Sequence, residues 1–482
     1  MPARGIVAAF NVHKASKIVA DMLFGITHRG EVAFGSISTD GQRMFPKKGH
    51  DSVEGTYRYF SFESQPGRQS IGQTSVFLDD RWRPDSEIYP MQFDDTRFGP
   101  LAVTYNGVIT NRKELYAEML PSGTNTDSIG EIIVHLICRS SKPELVDAII
   151  EALGQLEGAF TVIIMSCEQM FVARSPNGTL PISIGILDSS IFDEEQSGVT
   201  GRLRLDIPES AVLVSTENYV FRRFGRHIFM RNIEPGEIAV MRKTKPTPEY
   251  VKFGKYVPVR LCVNEILHVA HPRTKLVGCY FDHDPAEKRN RDQGVKCERI
   301  RQNCGYELGL QYTEVSGDCL VPELDIALNT AEGFAKQRQI ADIIRRYLLR
   351  NHHQPNIGRL LHQLSFTEKV RFFMEKYDLG DEKITGKQIL LMLGAFTTGD
   401  NARILTDWLM DCGALSVTAL VPYSRIINPC PYKLIPEPYE LLQAAEAISK
   451  GVHFLSMQGM RKAFPESMRD ELCMECYMPT PR

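Results

Sequence analysis

Residues 5–11 read Gly-Ile-Val-Ala-Ala-Phe-Asn, an apolar run that predicts a buried strand starting almost at residue 1. A helix is expected over about 14–25, ending in Thr27-His28-Arg29-Gly30. Short β-rich segments with Gly-containing turns continue to about 110, and Tyr105–Asn111 reads as a strand and turn around Asn106-Gly107. Apolar residues then recur at helical spacing over roughly 127–139 and 143–154. Leu156-Glu157-Gly158-Ala159-Phe160 leads into the strand Thr161–Met165. More strands run to about 242, parted by Pro176-Asn177-Gly178 and Glu234-Pro235-Gly236-Glu237. Strands, two helices, then strands again predicts two packed sheets with helices on their outer faces.

The pattern changes beyond a Pro- and charge-rich stretch at 243–257, which reads as a linker. Residues 275–297 read as a polar surface loop. Cys319-Leu320-Val321-Pro322 is a short strand, and Ala331–Ala335 is helical. Gly386–Met392 is a strand, about 401–411 a helix, Ser416–Val421 a strand and about 437–450 a helix. Such β-α-β alternation predicts a parallel sheet with helices on both faces.

Composition narrows the function classes. The 482 residues allow two or three domains, and 56 basic against 59 acidic residues leave a formal net charge of -3. That balance gives no reason to expect nucleic acid or an anionic membrane as the main partner. No apolar run approaches the ~20 residues of a membrane span. Met1-Pro2-Ala3-Arg4-Gly5 lacks the basic start and apolar region of a signal peptide, so the expected compartment is the cytoplasm. There the eleven cysteines should stay reduced, which favours metal binding or burial over disulfides. Cys473-Met474-Glu475-Cys476 has the spacing of a metal ligand pair, and equally of a redox dithiol or of chance.

Gly5-Ile6-Val7, His28-Arg29-Gly30, Ile71-Gly72, Asn106-Gly107 with Thr110-Asn111, Leu156-Glu157-Gly158-Ala159, Ala173-Arg174 with Pro176-Asn177-Gly178, and Glu234-Pro235-Gly236-Glu237 occur in the order found in class II glutamine amidotransferase domains. The chain most resembles the amidophosphoribosyltransferase family, in its iron–sulfur branch. The resemblance implies an N-terminal-nucleophile-hydrolase αββα sandwich over 4–242 and the linker 243–257. It implies a phosphoribosyltransferase-like, doubly wound parallel sheet over 258–436 and a helical tail with Cys-x-x-Cys over 437–482.

The likeness breaks at the chemistry. Arg4 stands in the nucleophile's place before Gly5-Ile6, and a guanidinium cannot attack an amide. Ser75 stands where the family grips the glutamine carboxylate with Arg, and Ile129, two residues from Asp127, stands where it holds the amine with an acid. Asn106 and Gly107 keep the oxyanion-hole places. In the second half the two Asp of the phosphoribosyl-pyrophosphate loop become Leu393 and Gly394. Thr397, Thr398, Gly399 and the upstream Asp325 remain, followed by Asp400, expected as an N-cap, and Asn401. Magnesium is expected only if that ligand is still bound. His28, Arg29, Asp325 and Lys376 are candidate charged groups near the old sites.

The family's cluster-binding branch holds a [4Fe–4S] cluster on four cysteines, and all four places are cysteine here: Cys262, Cys430, Cys473 and Cys476. A four-thiolate zinc site and inherited cysteines without metal are the alternatives. The expectation is a catalytically inactive homologue that keeps scaffold and cluster. It would form a homo-oligomer, as family members do, or a hetero-oligomer with an active homologue as a regulatory or structural partner. The alternatives are an enzyme of altered substrate, or the parent reaction of purine biosynthesis, glutamine plus phosphoribosyl pyrophosphate giving phosphoribosylamine.

Overall fold

Strand β1 (Gly5–Phe10) is buried at every position, and its alternate side chains enter two different cores. Val7 and Ala9 face helix α1 (Ala15–Gly25), while Ile6, Ala8 and Phe10 face a second sheet. This explains why the run is apolar throughout rather than alternating. In the computed structural model, residues 4–30, 33–50, 65–75, 88–119, 128–187, 211–224, 229–245, 247–276, 294–323, 327–341, 343, 348–350, 365–379, 384–394, 399–432, 434 and 451–478 are described. The helix expected at 437–450, most of the 275–297 loop, and Asp127, Asp325, Thr397 and Thr398 lie outside them.

The chain divides into two compact units, Pro2–Cys262 with Thr274–Gly294, and Val263–Arg273 with Val295–Arg482. The first unit contains β1, β2 (Ala33–Thr39), β3 (Met44–Gly49), β4 (Gln69–Ser75), β5 (Met91–Phe93), β6 (Leu101–Ile109), β7 (Gly158–Ser166), β8 (Gln169–Arg174), β9 (Ser183–Leu187), β10 (Ala211–Ser215), β11 (Phe229–Asn232), β12 (Glu237–Arg242) and β13 (Glu249–Lys252). One antiparallel sheet runs β11-β9-β10-β1-β4-β2-β3 and the other β13-β12-β8-β7-β6-β5. Strand β13 falls inside the stretch expected to be a linker.

Helices α2 (Arg112–Met119), α3 (Ile129–Arg139) and α4 (Leu145–Leu153) cover the outer face of the second sheet, and α1 covers the first. The unit is therefore an αββα sandwich. Ser128 caps α3, its Oγ accepting from the Glu131 N–H at 3.1 Å. The expected turn at Asn106-Gly107 is not a turn: β6 runs straight through it, with Asn106 opposite Thr161 and Gly107 opposite Phe160.

In the second unit, α5 (Cys297–Gln311), β14 (Cys319–Pro322), α6 (Leu328–Arg338), α7 (Phe366–Lys376), β15 (Gln388–Met392), α8 (Asp400–Asp411), β16 (Ser416–Val421) and β17 (Val452–Phe454) follow in order. The strands form a parallel sheet, β14-β15-β16-β17, as the alternation predicts. Helices α5 and α6 pack backbone to backbone. A Cβ on Gly305 would lie 1.8 Å from the Thr330 carbonyl oxygen, and one on Gly333 1.8 Å from that of Gln302.

Candidate functional site

The first site is built at the start of β1. The Arg4 backbone N–H donates to Asn106 Oδ1 at 3.0 Å, fixing the residue before Gly5 against β6. The guanidinium carbon lies 4.3 Å from the Tyr105 ring centroid and 5.6 Å from that of Tyr89. The two rings meet edge to face at 5.0 Å, and the Tyr89 hydroxyl accepts from the Gly130 N–H at 2.9 Å. Burial, with Tyr105 nearby, raises the Tyr89 hydroxyl above its ordinary range, so it stays protonated. Arg4 is thus held in an aromatic frame.

Asn106 is 1% exposed, and its Nδ2 has no hydrogen-bond partner among the described residues. Gly107 has φ +116°, and a Cβ there would lie 2.0 Å from the Ala159 carbonyl oxygen. The strand pairing alone therefore demands glycine. Ser75 is buried, its Oγ accepting from Gln73 Nε2 at 3.0 Å, and Ile129 is part of the apolar core beneath the helices. Neither place offers the charge that a glutamine zwitterion would need.

His28 and Arg29 do meet, on a residue that the sequence reading passed over. The Glu217 carboxylate is fully buried, paired to Arg29 Nε and to His28 Nε2 (2.7 Å), and it accepts from Thr274 Oγ1 at 2.7 Å. Burial alone would raise its pKa; Arg29 and His28 outweigh that and hold it well below the usual carboxylate range. The one available signal was an acidic residue directly after an apolar strand, at Ser215-Thr216-Glu217.

The second site lies at the carboxyl ends of the parallel strands, where open α/β sheets bind ligands. Leu393 is buried in the core. The Gly394 N–H donates to Glu323 Oε2 at 2.8 Å, and Asn401 Nδ2 donates to Glu323 Oε1 at 3.3 Å. Gly399, with φ +79°, is the N-cap of α8. Asp400 is therefore not the cap; it is the first helical residue, and its carboxylate takes Lys369 Nζ at 2.6 Å. The buried carboxylate of Glu323 thus joins the end of β15 to the Asn401 side chain in the first turn of α8. The backbone of Lys376 is in α7.

The cysteines come last. Cys262, Cys430, Cys473 and Cys476 are all buried, at 3–7% exposure. Within the second unit the Cys430 segment meets the terminal pair: the Ile427 and Asn428 N–H groups donate to the Cys476 carbonyl oxygen at 2.8 and 3.1 Å. Tyr477 bonds Asn264 Oδ1, two residues after Cys262 in the chain. Among the described residues no three His, Cys, Asp or Glu side chains are placed to hold one metal ion. A single zinc needs its sulfurs within about 2.3 Å of one point, whereas each thiolate of a cubane cluster binds a different iron.

An αββα sandwich with amidotransferase motifs, joined to a parallel α/β unit with a loop at its strand ends, defines the class: an N-terminal-nucleophile-type glutamine amidotransferase domain beside a phosphoribosyltransferase-type domain. A glutamine amidotransferase domain family matches residues 82–193. The chain is 23% identical to the amidophosphoribosyltransferase of Bacillus subtilis (strain 168) over 98% of its own length and 92% of the relative's. It is 26% identical to that of Rhizobium etli, over 95% and 86%. Among solved structures, the B. subtilis glutamine phosphoribosylpyrophosphate amidotransferase complexed with ADP and GMP superposes with a TM-score of 0.77 at 22% identity, covering 98% of this chain and 96% of that one. A structure described as the allosteric regulatory enzyme of purine biosynthesis gives 0.80 at 21%, covering 98% and 95%. The chain is thus similar to amidophosphoribosyltransferases over nearly its whole length. No helix among the described residues is long and apolar enough to cross a membrane.

Proposed function

We propose that this amidophosphoribosyltransferase-like chain is catalytically silent and acts as a regulatory or structural partner, as a homo-oligomer or with an active homologue. The observation that carries the reading is Arg4, anchored on Asn106 and seated on Tyr105 and Tyr89 where the family places its nucleophile. A permanently protonated guanidinium supplies neither nucleophile nor base, so the oxyanion donors have no tetrahedral intermediate to stabilise. The second site supports the same reading. Leu393 and Gly394 provide no carboxylates for ribose hydroxyls, while Glu323 and Asp400 place negative charge where a phosphate would sit.

Four cysteines, Cys262, Cys430, Cys473 and Cys476, would hold a [4Fe–4S] cluster, whose role here is to tie distant parts of the chain together and whose redox chemistry could report oxygen or iron status. The test is threefold. Glutamine hydrolysis should be absent in the unaltered chain, with Arg4→Cys as the control. Calorimetry should show no saturable phosphoribosyl pyrophosphate binding. Protein purified without oxygen should contain iron and acid-labile sulfide. Glutaminase activity in the unaltered chain would sink the silent reading; its absence with no iron would remove the cluster alone.

A further inference from the structure

Residues Val263–Arg273 belong to the second unit and Thr274–Gly294 to the first, before Val295 opens the second again. At this return to the first unit, two consecutive side chains just after β10 meet two consecutive residues of the returning segment. Glu217 Oε2 accepts from the Thr274 hydroxyl at 2.7 Å. Asn218 pairs with the backbone of Lys275 in both directions. Its Oδ1 accepts from the Lys275 N–H at 2.9 Å, and its Nδ2 donates to the Lys275 carbonyl oxygen at 2.6 Å. A side-chain amide carries both an acceptor and donors, so it can stand in for the peptide group of a neighbouring strand. Asn218 is oriented from behind: Nδ2 also donates to Ser183 Oγ at 3.4 Å, and that hydroxyl donates to Asn232 Oδ1 at 2.5 Å. Glu217 is fixed in the same manner, its N–H donating to Ser215 Oγ at 3.0 Å. Glu217, Asn218, Thr274 and Leu276 are 0–3% exposed, so the contact is buried. The two oxygens of Glu217 divide their partners: Oε2 serves the returning segment, while Oε1 serves Arg29 Nε and His28 Nε2.

We propose that Glu217 and Asn218 form a clasp that fastens Thr274–Leu276 to the first unit, and that the Glu217 carboxylate couples this clasp to the His28-Arg29 corner. Amide hydrogen exchange on the full-length chain tests it, because the Lys275 N–H is itself one of the clasped groups. Asn218→Ala removes both bonds to Lys275 and should speed exchange of that amide about tenfold or more, the loss expected for a buried hydrogen bond. Thr274→Val keeps the shape of the side chain and deletes the hydroxyl on Glu217. It should speed exchange at Lys275 and also at Arg29 and Gly30, whose N–H groups close the turn onto the Ile26 and Thr27 carbonyl oxygens. Coupling must be reciprocal, so His28→Ala should in turn speed exchange at Lys275. The amides of Thr161–Met165 in β7 are the reference, and their rates should hold in all three variants. Unchanged exchange at Lys275 in Asn218→Ala would overturn the clasp, as would β7 amides that speed up by the same factor, since the loss would then be global. A Thr274→Val effect confined to 274–276, or a silent Lys275 in His28→Ala, would overturn the coupling through Glu217. None of these readouts depends on glutamine hydrolysis, phosphoribosyl pyrophosphate or iron, so the clasp can fail while the proposed function stands, and the reverse.

Discussion

Glu217 is the residue on which the first unit's buried charge turns. Replacing it by Gln leaves the Arg29 guanidinium, 0% exposed, without its carboxylate. Glu217→Gln should destabilise the chain by about 3–5 kcal/mol, read as a fall in the urea midpoint. The pH dependence has a definite sign. Its carboxyl is held well below the usual value in the folded state, so the stability it contributes is present at neutral pH and is lost as pH falls below the ordinary carboxylate range. His268 works the same way in a different window. Burial, with Arg301 beside it, pulls it to about 4. The unfolded chain therefore binds the extra proton first, and stability should drop progressively from about pH 6.5 to about pH 4. Urea midpoints measured across that range should lose this slope in His268→Phe.

Among elements, the α5–α6 pair gives the sharpest prediction. Gly305→Ala would normally favour a helix by roughly 1 kcal/mol. Here the new methyl meets the Thr330 carbonyl at 1.8 Å, so the helices must separate. A net loss of about 1–3 kcal/mol is expected by thermal unfolding. Elements are also where the sequence was most legible. The apolar runs at 5–11 and Ser416–Val421 and the helical spacing at about 127–139 became a strand at Gly5–Phe10, a strand at Ser416–Val421 and a helix at Ile129–Arg139, because each carries its own periodicity. Asn106-Gly107 misled because an Asn-Gly pair is a turn signal read locally, while the cause of Gly107 is the carbonyl of Ala159 on the neighbouring strand. The Gly394–Glu323 bond was invisible for the same reason: its partners lie 71 residues apart, and no spacing rule joins them. Arg4 could be read from its neighbours, but its seat on Tyr105 and Tyr89 required the fold.

For the whole molecule, the decisive quantity is metal content. Protein handled without oxygen should carry about four iron and four acid-labile sulfide per chain, both lost in Cys473→Ser together with the visible absorption. Because a metal site closes long loops, that variant should also unfold at lower temperature. Glu323, finally, has a consequence for any attempt to restore ligand binding. A carboxylate on the chain's own backbone is a competitor that cannot diffuse away, and tethering of this kind gives effective concentrations of about millimolar or more. An anion approaching the Gly394 N–H from solution would have to displace that carboxylate first. Placing carboxylates at 393 and 394 alone should therefore bring little phosphoribosyl pyrophosphate binding; Glu323 must be replaced in the same variant.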